Sequence, residues 1–122
     1  MALTALIVDD EPLAREWIRS GLAAETDVEI VGECGDGFQA VQKIGELAPR
    51  LIFLDVQMPG LNGFQATRAI TREEKTKHIP VIICTTKDQE TDKIWGLRQG
   101  AKDYITKPLS ESDLLEKIKA LS

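Results

Sequence analysis

The stretch Ala5-Leu6-Ile7-Val8-Asp9-Asp10-Glu11-Pro12 decides the fold. Its apolar run is too short for a helix and suits a strand covered on both faces. Carboxylates end it. Pro12 then stands where the first turn of a helix accepts a residue without an N–H, with Asp10 or Glu11 before it as cap. The same kind of ending recurs downstream. Leu51-Ile52-Phe53-Leu54 stops at Asp55, Val81-Ile82-Ile83-Cys84 at Thr85, and Tyr104-Ile105 runs on to Lys107.

Working outward, strand-like and helix-like patterns alternate along the chain. The first strand is expected over about Leu3–Asp9, then a helix from Pro12 with Leu13, Trp17, Ile18 and Leu22 on one face. A second strand covers about Val28–Cys34. A helix from Gly37 follows, with Phe38, Val41, Ile44 and Ala48 on one side, and Pro49 stops it. The third strand is Leu51–Asp55; Met58-Pro59-Gly60-Leu61-Asn62-Gly63 is a loop of turn formers. A third helix spans about Phe64–Arg72 and frays into charged residues. Strand four is Val81–Thr85, and a fourth helix runs over about Gln89–Gln99 to Gly100. Strand five is Asp103–Thr106, and a last helix starts near Glu111 with Leu114, Leu115, Ile118 and Leu121 inward. Five βα units with right-handed crossovers give an α/β, doubly wound, five-stranded parallel sheet.

The totals fit one domain over residues 1–122. The chain has 43% hydrophobic and 29% charged residues and a net charge of −5. No basic face is evident for nucleic acid, no apolar stretch is long enough for a bilayer, and the first residues lack a signal-peptide pattern. A cytoplasmic location fits. Cys34 and Cys84 lie in apolar runs and read as buried thiols, with a disulfide or metal pair as the alternative. His78 reads as a surface residue. Trp17 is in register with the core face of its helix. Trp95, beside Ile94 and Leu97, falls at the edge of a buried face, either packed or partly exposed to a partner. Gly32, Gly35 and Gly37 have the wrong order for a dinucleotide loop and read as turn chemistry.

In a parallel sheet all strands point the same way, so Asp9, Asp10, Asp55, Thr85 and Lys107 collect at the edge where such sheets bind ligands. Three close carboxylates repel by several kcal/mol unless their pKa values rise or a divalent cation binds. Hard oxygen ligands open to water suit Mg²⁺, with a backbone carbonyl near Gln57 completing the set. Lys107 brings a compact positive charge and Thr85 a hydroxyl donor. Such a site is built for phosphoryl transfer, and central Asp55 is the best nucleophile, forming an acyl phosphate.

With these residues assembled, the chain resembles a receiver domain of two-component response regulators, the CheY-like family. The likeness rests on Val8-Asp9-Asp10-Glu11, Leu54-Asp55, Met58-Pro59-Gly60, Gly63, Thr85 and Tyr104-Ile105-Thr106-Lys107-Pro108. The resemblance implies a flavodoxin-like sheet of strand order 2-1-3-4-5. It implies that Asp55 accepts a phosphoryl group from a histidine kinase or phosphotransfer protein. Asp10, Asp55 and the Gln57 carbonyl would hold Mg²⁺ (or Mn²⁺), with Asp9 assisting through water. Lys107 would contact the phosphoryl group, Thr85 would move toward it, and Tyr104 would turn inward. The face of the fourth helix, fifth strand and fifth helix would then bind a downstream protein, as a monomer or a weak phosphorylation-dependent dimer. Gln57, Thr86 and Lys87 would tune the phosphoryl lifetime. No catalysis is implied beyond the domain's own phosphotransfer and autodephosphorylation. Asn62 and Thr86 depart from the commonest residues of the family.

Residues 1–60 resemble the receivers of LytTR-type DNA-binding regulators, and residues 58–122 the PilH-type receivers of twitching motility. A recombinant or engineered chimera joined near Met58-Pro59-Gly60 is the reading this suggests. Among rival functions, a haloacid-dehalogenase-like phosphatase needs an acid two residues after its nucleophile, where Gln57 stands. A flavodoxin-like FMN carrier needs a hydroxyl-rich phosphate loop where Asp9-Asp10-Glu11 would repel phosphate. A docking module that is never phosphorylated would leave the complete set of site residues without a use.

Overall fold

The computed structural model describes residues 3–23, 28–55, 63–86, 94, 97–107 and 111–120. The strands are β1 (Leu3–Val8), β2 (Val28–Cys34), β3 (Leu51–Asp55), β4 (Val81–Thr86) and β5 (Asp103–Lys107). The helices are α1 (Pro12–Ala23), α2 (Gly37–Leu47), α3 (Gly63–Arg72) and a C-terminal helix (Glu111–Lys119). All strand pairs are parallel, and the sheet order is β2-β1-β3-β4-β5, the order expected. Most of the fourth helix anticipated over 89–99 lies outside the described residues, as do Trp95 and Leu121.

Period-two alternation along the strands divides the core in two. Ala5, Ile7, Leu51, Phe53, Ile82 and Ile105 face Ile18 and Leu22 of α1 and Leu114 and Ile118 of the C-terminal helix. Leu6, Val8, Ile52, Leu54, Val81 and Ile83 face Ala40 and Ile44 of α2 and Ala66 and Ile70 of α3. Both faces of β3 are thus covered, and all five of its residues are buried. This explains why its sequence is a continuous apolar run. Close packing also fixes Gly21: a Cβ there would lie 2.9 Å from Leu114 Cδ2.

Local chemistry bounds α2. Asp36 caps its start, accepting from Gln39 N at 2.8 Å. Ala48, at φ 46°, closes its end in the left-handed region before Pro49.

The helix faces need correction. Trp17 is 59% exposed and Leu13 68%, so neither belongs to the core. The inward line of α1 runs through Ile18 and Leu22. A helix turns about 100° per residue, so the Leu13–Trp17 line points away from it. Likewise α2 buries Gly37, Ala40 and Ile44, leaving Phe38 and Val41 outside and Ala48 exposed at the cap. Ile94 and Leu97, read as a buried pair, are exposed too. His78 is exposed, and both cysteines are buried thiols. Among the described residues no helix is long and apolar enough to cross a membrane.

Candidate functional site

Register brings the strand ends level. Val8 pairs with Leu54, Asp55 with Cys84, Thr85 with Thr106 and Thr86 with Lys107. Asp9 and Asp10 follow β1 directly, so their chain leaves the sheet beside the end of β3. One carboxylate oxygen from each of Asp9, Asp10 and Asp55 lies within 4.8 Å of the other two. Asp9 and Asp55 are buried, at 1% and 4% exposure, while Asp10 faces solvent. The acids anticipated from the strand ends are therefore one cluster.

Thr85 and Lys107 take their register positions at the same edge through their backbones. Their side chains lie outside the described residues, as do that of Thr86 and all of Gln57 and Lys87. Tyr104 is described: half-buried, it packs against the core cluster that holds Ile83 and Ala66. Lys117 of the C-terminal helix places its ammonium 5.1 Å from the Tyr104 ring centroid. The same ammonium donates to Asp103 Oδ1 at 3.1 Å, and that oxygen also accepts from Tyr104 N at 2.8 Å.

Asp9 is held by its surroundings. Its N–H donates to the Cys34 carbonyl at 3.0 Å, and its Oδ1 accepts from Glu11 N at 2.9 Å. Its carbonyl accepts from Arg15 Nη1 at 2.6 Å. Arg15 Nε lies 3.4 Å from Glu33 Oε1 on β2, and Arg19 Nη1 pairs with the other Glu33 oxygen. This clamp escaped the sequence reading. The usable signal was the spacing of Arg15 and Arg19, four residues apart on one helix face, with acids at Glu29 and Glu33 on the next strand. No short motif marks it.

Three carboxylates this close repel by on the order of 3 kcal/mol per pair at an effective dielectric of about 20. Exposure of Asp10 lessens its share. A cluster of oxygen donors, partly buried and partly open, fits a hard divalent cation that keeps some of its water. Nearby Cys34 offers no competing nucleophile, because burial pushes its thiol up to about 11 and keeps it protonated.

Comparison with known proteins gives this geometry its context. Residues 5–119 match the family model "Response regulator receiver domain". Protein PilH of Pseudomonas aeruginosa is 48% identical over 116 residues, covering 95% of this chain and 94% of PilH. The phosphate regulon transcriptional regulatory protein PhoB of the same organism is 42% identical across 97% of this chain, which spans only 51% of PhoB. The solved structure of chemotaxis response regulator CheY4 of Vibrio cholerae superposes with TM-score 0.87 at 27% identity, covering all of both chains. The likeness to PilH runs through both halves and does not begin at residue 58. Neither the two-source reading nor the LytTR-type assignment of residues 1–60 finds support, since single relatives match nearly end to end. From its sheet order, its acidic edge and these likenesses, this chain belongs to the response regulator receiver domain family of two-component systems.

Proposed function

We propose that Asp55 is the phosphoacceptor of this receiver. The supporting observation is the buried Asp55 carboxylate at the end of central β3, with one carboxylate oxygen each of Asp9 and Asp10 within 4.8 Å of one of its own. A carboxylate oxygen of Asp55 attacks phosphorus while the P–N bond of a donor phosphohistidine breaks. The electron pair of that bond returns to the imidazole, and an aspartyl phosphate remains. Donors are a histidine kinase or a phosphotransfer protein.

Asp10 and Asp55, with the backbone carbonyl of Gln57, would hold Mg²⁺ or Mn²⁺, and Asp9 would assist through water. The ion neutralises phosphoryl oxygens when bound. Lys107 contacts the phosphoryl group, Thr85 turns toward it, and Tyr104 follows inward. In doing so Tyr104 gives up the Lys117 contact over its ring, which ties the switch to the C-terminal helix. The surface of residues 89–99, β5 and the C-terminal helix then changes its affinity for a downstream protein. Gln57, Thr86 and Lys87 set the lifetime of the phosphorylated form. The domain turns over no external substrate and works in the cytoplasm, where two-component kinases present their phosphohistidine.

Incubation with acetyl phosphate and Mg²⁺, read by intact mass, tests this. One added phosphoryl group is expected in the wild type and none in Asp55→Asn. A label that persists in Asp55→Asn, or no label in the wild type, sinks the assignment.

A further inference from the structure

We propose that Arg15 is a positioning residue for the cation site, acting through the peptide that joins Asp9 to Asp10. This rests on the reading of Asp9, Asp10 and Asp55 as that site. The Asp9 carbonyl belongs to the linking peptide, and Arg15 Nη1 donates to it at 2.6 Å. A peptide is planar, so fixing its carbonyl direction fixes its plane and the direction in which Asp10 departs. Asp10 needs that help most: Asp9 is buried and held by Cys34 O and Glu11 N, whereas Asp10 is exposed. A hydrogen bond from a guanidinium is among the stronger means of holding a carbonyl.

Glu33 aims the guanidinium. Arg15 Nε sits 3.4 Å from Glu33 Oε1, and both side chains are about three-quarters covered, at 23% and 26% exposure. Held at Nε by β2 and at Nη1 by the Asp9 carbonyl, the planar group has little freedom left. Two effects on a cation oppose each other. The charge of Arg15 disfavours it, and the fixed peptide favours it. Glu33 beside the guanidinium offsets the charge, so positioning wins and loss of Arg15 weakens cation binding.

Mg²⁺ titration of the full chain, followed by the amide NMR shifts of Asp9 and Asp10, tests this. Arg15→Met should bind Mg²⁺ about tenfold more weakly, the lower range for loss of an outer-shell partner. Arg15→Lys, which keeps the charge but cannot span both partners, should fall between. Glu33→Gln keeps Arg15 in place but unaimed and should lose affinity in the same direction, which covers an Arg15→Met that folds poorly. Arg19 also pairs with Glu33, but the donor to the Asp9 carbonyl is Arg15, so Arg19→Met should lose clearly less affinity than Arg15→Met does. Labelling of Arg15→Met by acetyl phosphate should drop at low Mg²⁺ and recover at saturation. Affinity in Arg15→Met equal to or above wild type overturns the proposal, as does an equal loss in Arg19→Met or labelling that stays low at saturating Mg²⁺. A wild type that binds no Mg²⁺ overturns the underlying site reading as well.

Discussion

The two edges of this sheet are built on opposite rules. At the amino edge, where strands begin, backbone groups are closed off one by one. Arg50 N donates to Thr4 O, Ile52 N to Pro80 O and Lys102 N to Val81 O, while Thr71 Oγ1 donates to Gln99 O at 2.7 Å. Two residues there, Ala48 and Gly100, adopt left-handed backbone to turn helices into strands. At the carboxyl edge, where β1 and β3 end, three carboxylates gather within 4.8 Å. Nothing about folding asks for that. One edge is optimised for closure and the other keeps repulsion that a bound cation would relieve.

The contrast can be broken first at the amino edge. Gly100 has φ 106°, and a Cβ there would lie 2.6 Å from Thr71 Oγ1. Gly100→Ala should therefore destabilise the chain by about 3 kcal/mol in urea unfolding, from backbone strain plus a displaced Thr71. A loss below about 1 kcal/mol in that assay would show the turn to be adaptable.

Next comes Cys34, whose carbonyl anchors Asp9 at the carboxyl edge. Its thiol is raised from 9.0 to about 11, chiefly by burial. A pKa raised in the folded state favours the neutral thiol, so the contribution is intact below pH about 9. It is lost as pH climbs toward about 11, where the unfolded thiol ionises and the folded one does not. Stability should fall by roughly 2 kcal/mol over that window. Cys34→Ala should show a smaller alkaline slope; identical slopes would discount the thiol.

Asp9→Asn probes the repulsion directly. Without added metal it should stabilise the protein by about 1 kcal/mol. One charge leaves the cluster, but exposed Asp10 is screened by solvent and the neutral amide oxygen accepts more weakly from Glu11 N, which offsets most of the relieved repulsion. With Mg²⁺ the order should reverse, the wild type gaining more stability from the ion than the variant does. Equal unfolding midpoints in both conditions would mean the three acids do not act on one another.

The smallest effect is at the other edge again. Ala48 holds φ 46° as the α2 cap, a conformation that suits glycine better. Ala48→Gly should add about 0.5 kcal/mol, visible as a modest rise in the urea midpoint.

Much of this molecule is legible in its residues alone. β2 and β3 have the bounds their residues announce, and β1, β4 and β5 differ by a residue at one end. The acidic cluster was legible too, because parallel strands must end together and Asp9, Asp10 and Asp55 end two of them. Helix faces were not. Leu13 and Trp17 have a spacing as apolar as that of Ile18 and Leu22, and only the tilt of α1 on the sheet decides which line turns inward. The same holds for Phe38 and Val41 against Ala40 and Ile44.

From the order of residues alone follow the βα alternation, the parallel sheet and the gathering of acids at one edge. These depend on periodicity and strand direction, which are local properties. Tertiary packing alone decided that Trp17 stands in solvent and that Arg15 reaches back to the Asp9 carbonyl with Glu33 behind it. Those outcomes depend on how α1 sits against β2, a relation among distant residues that no short pattern carries.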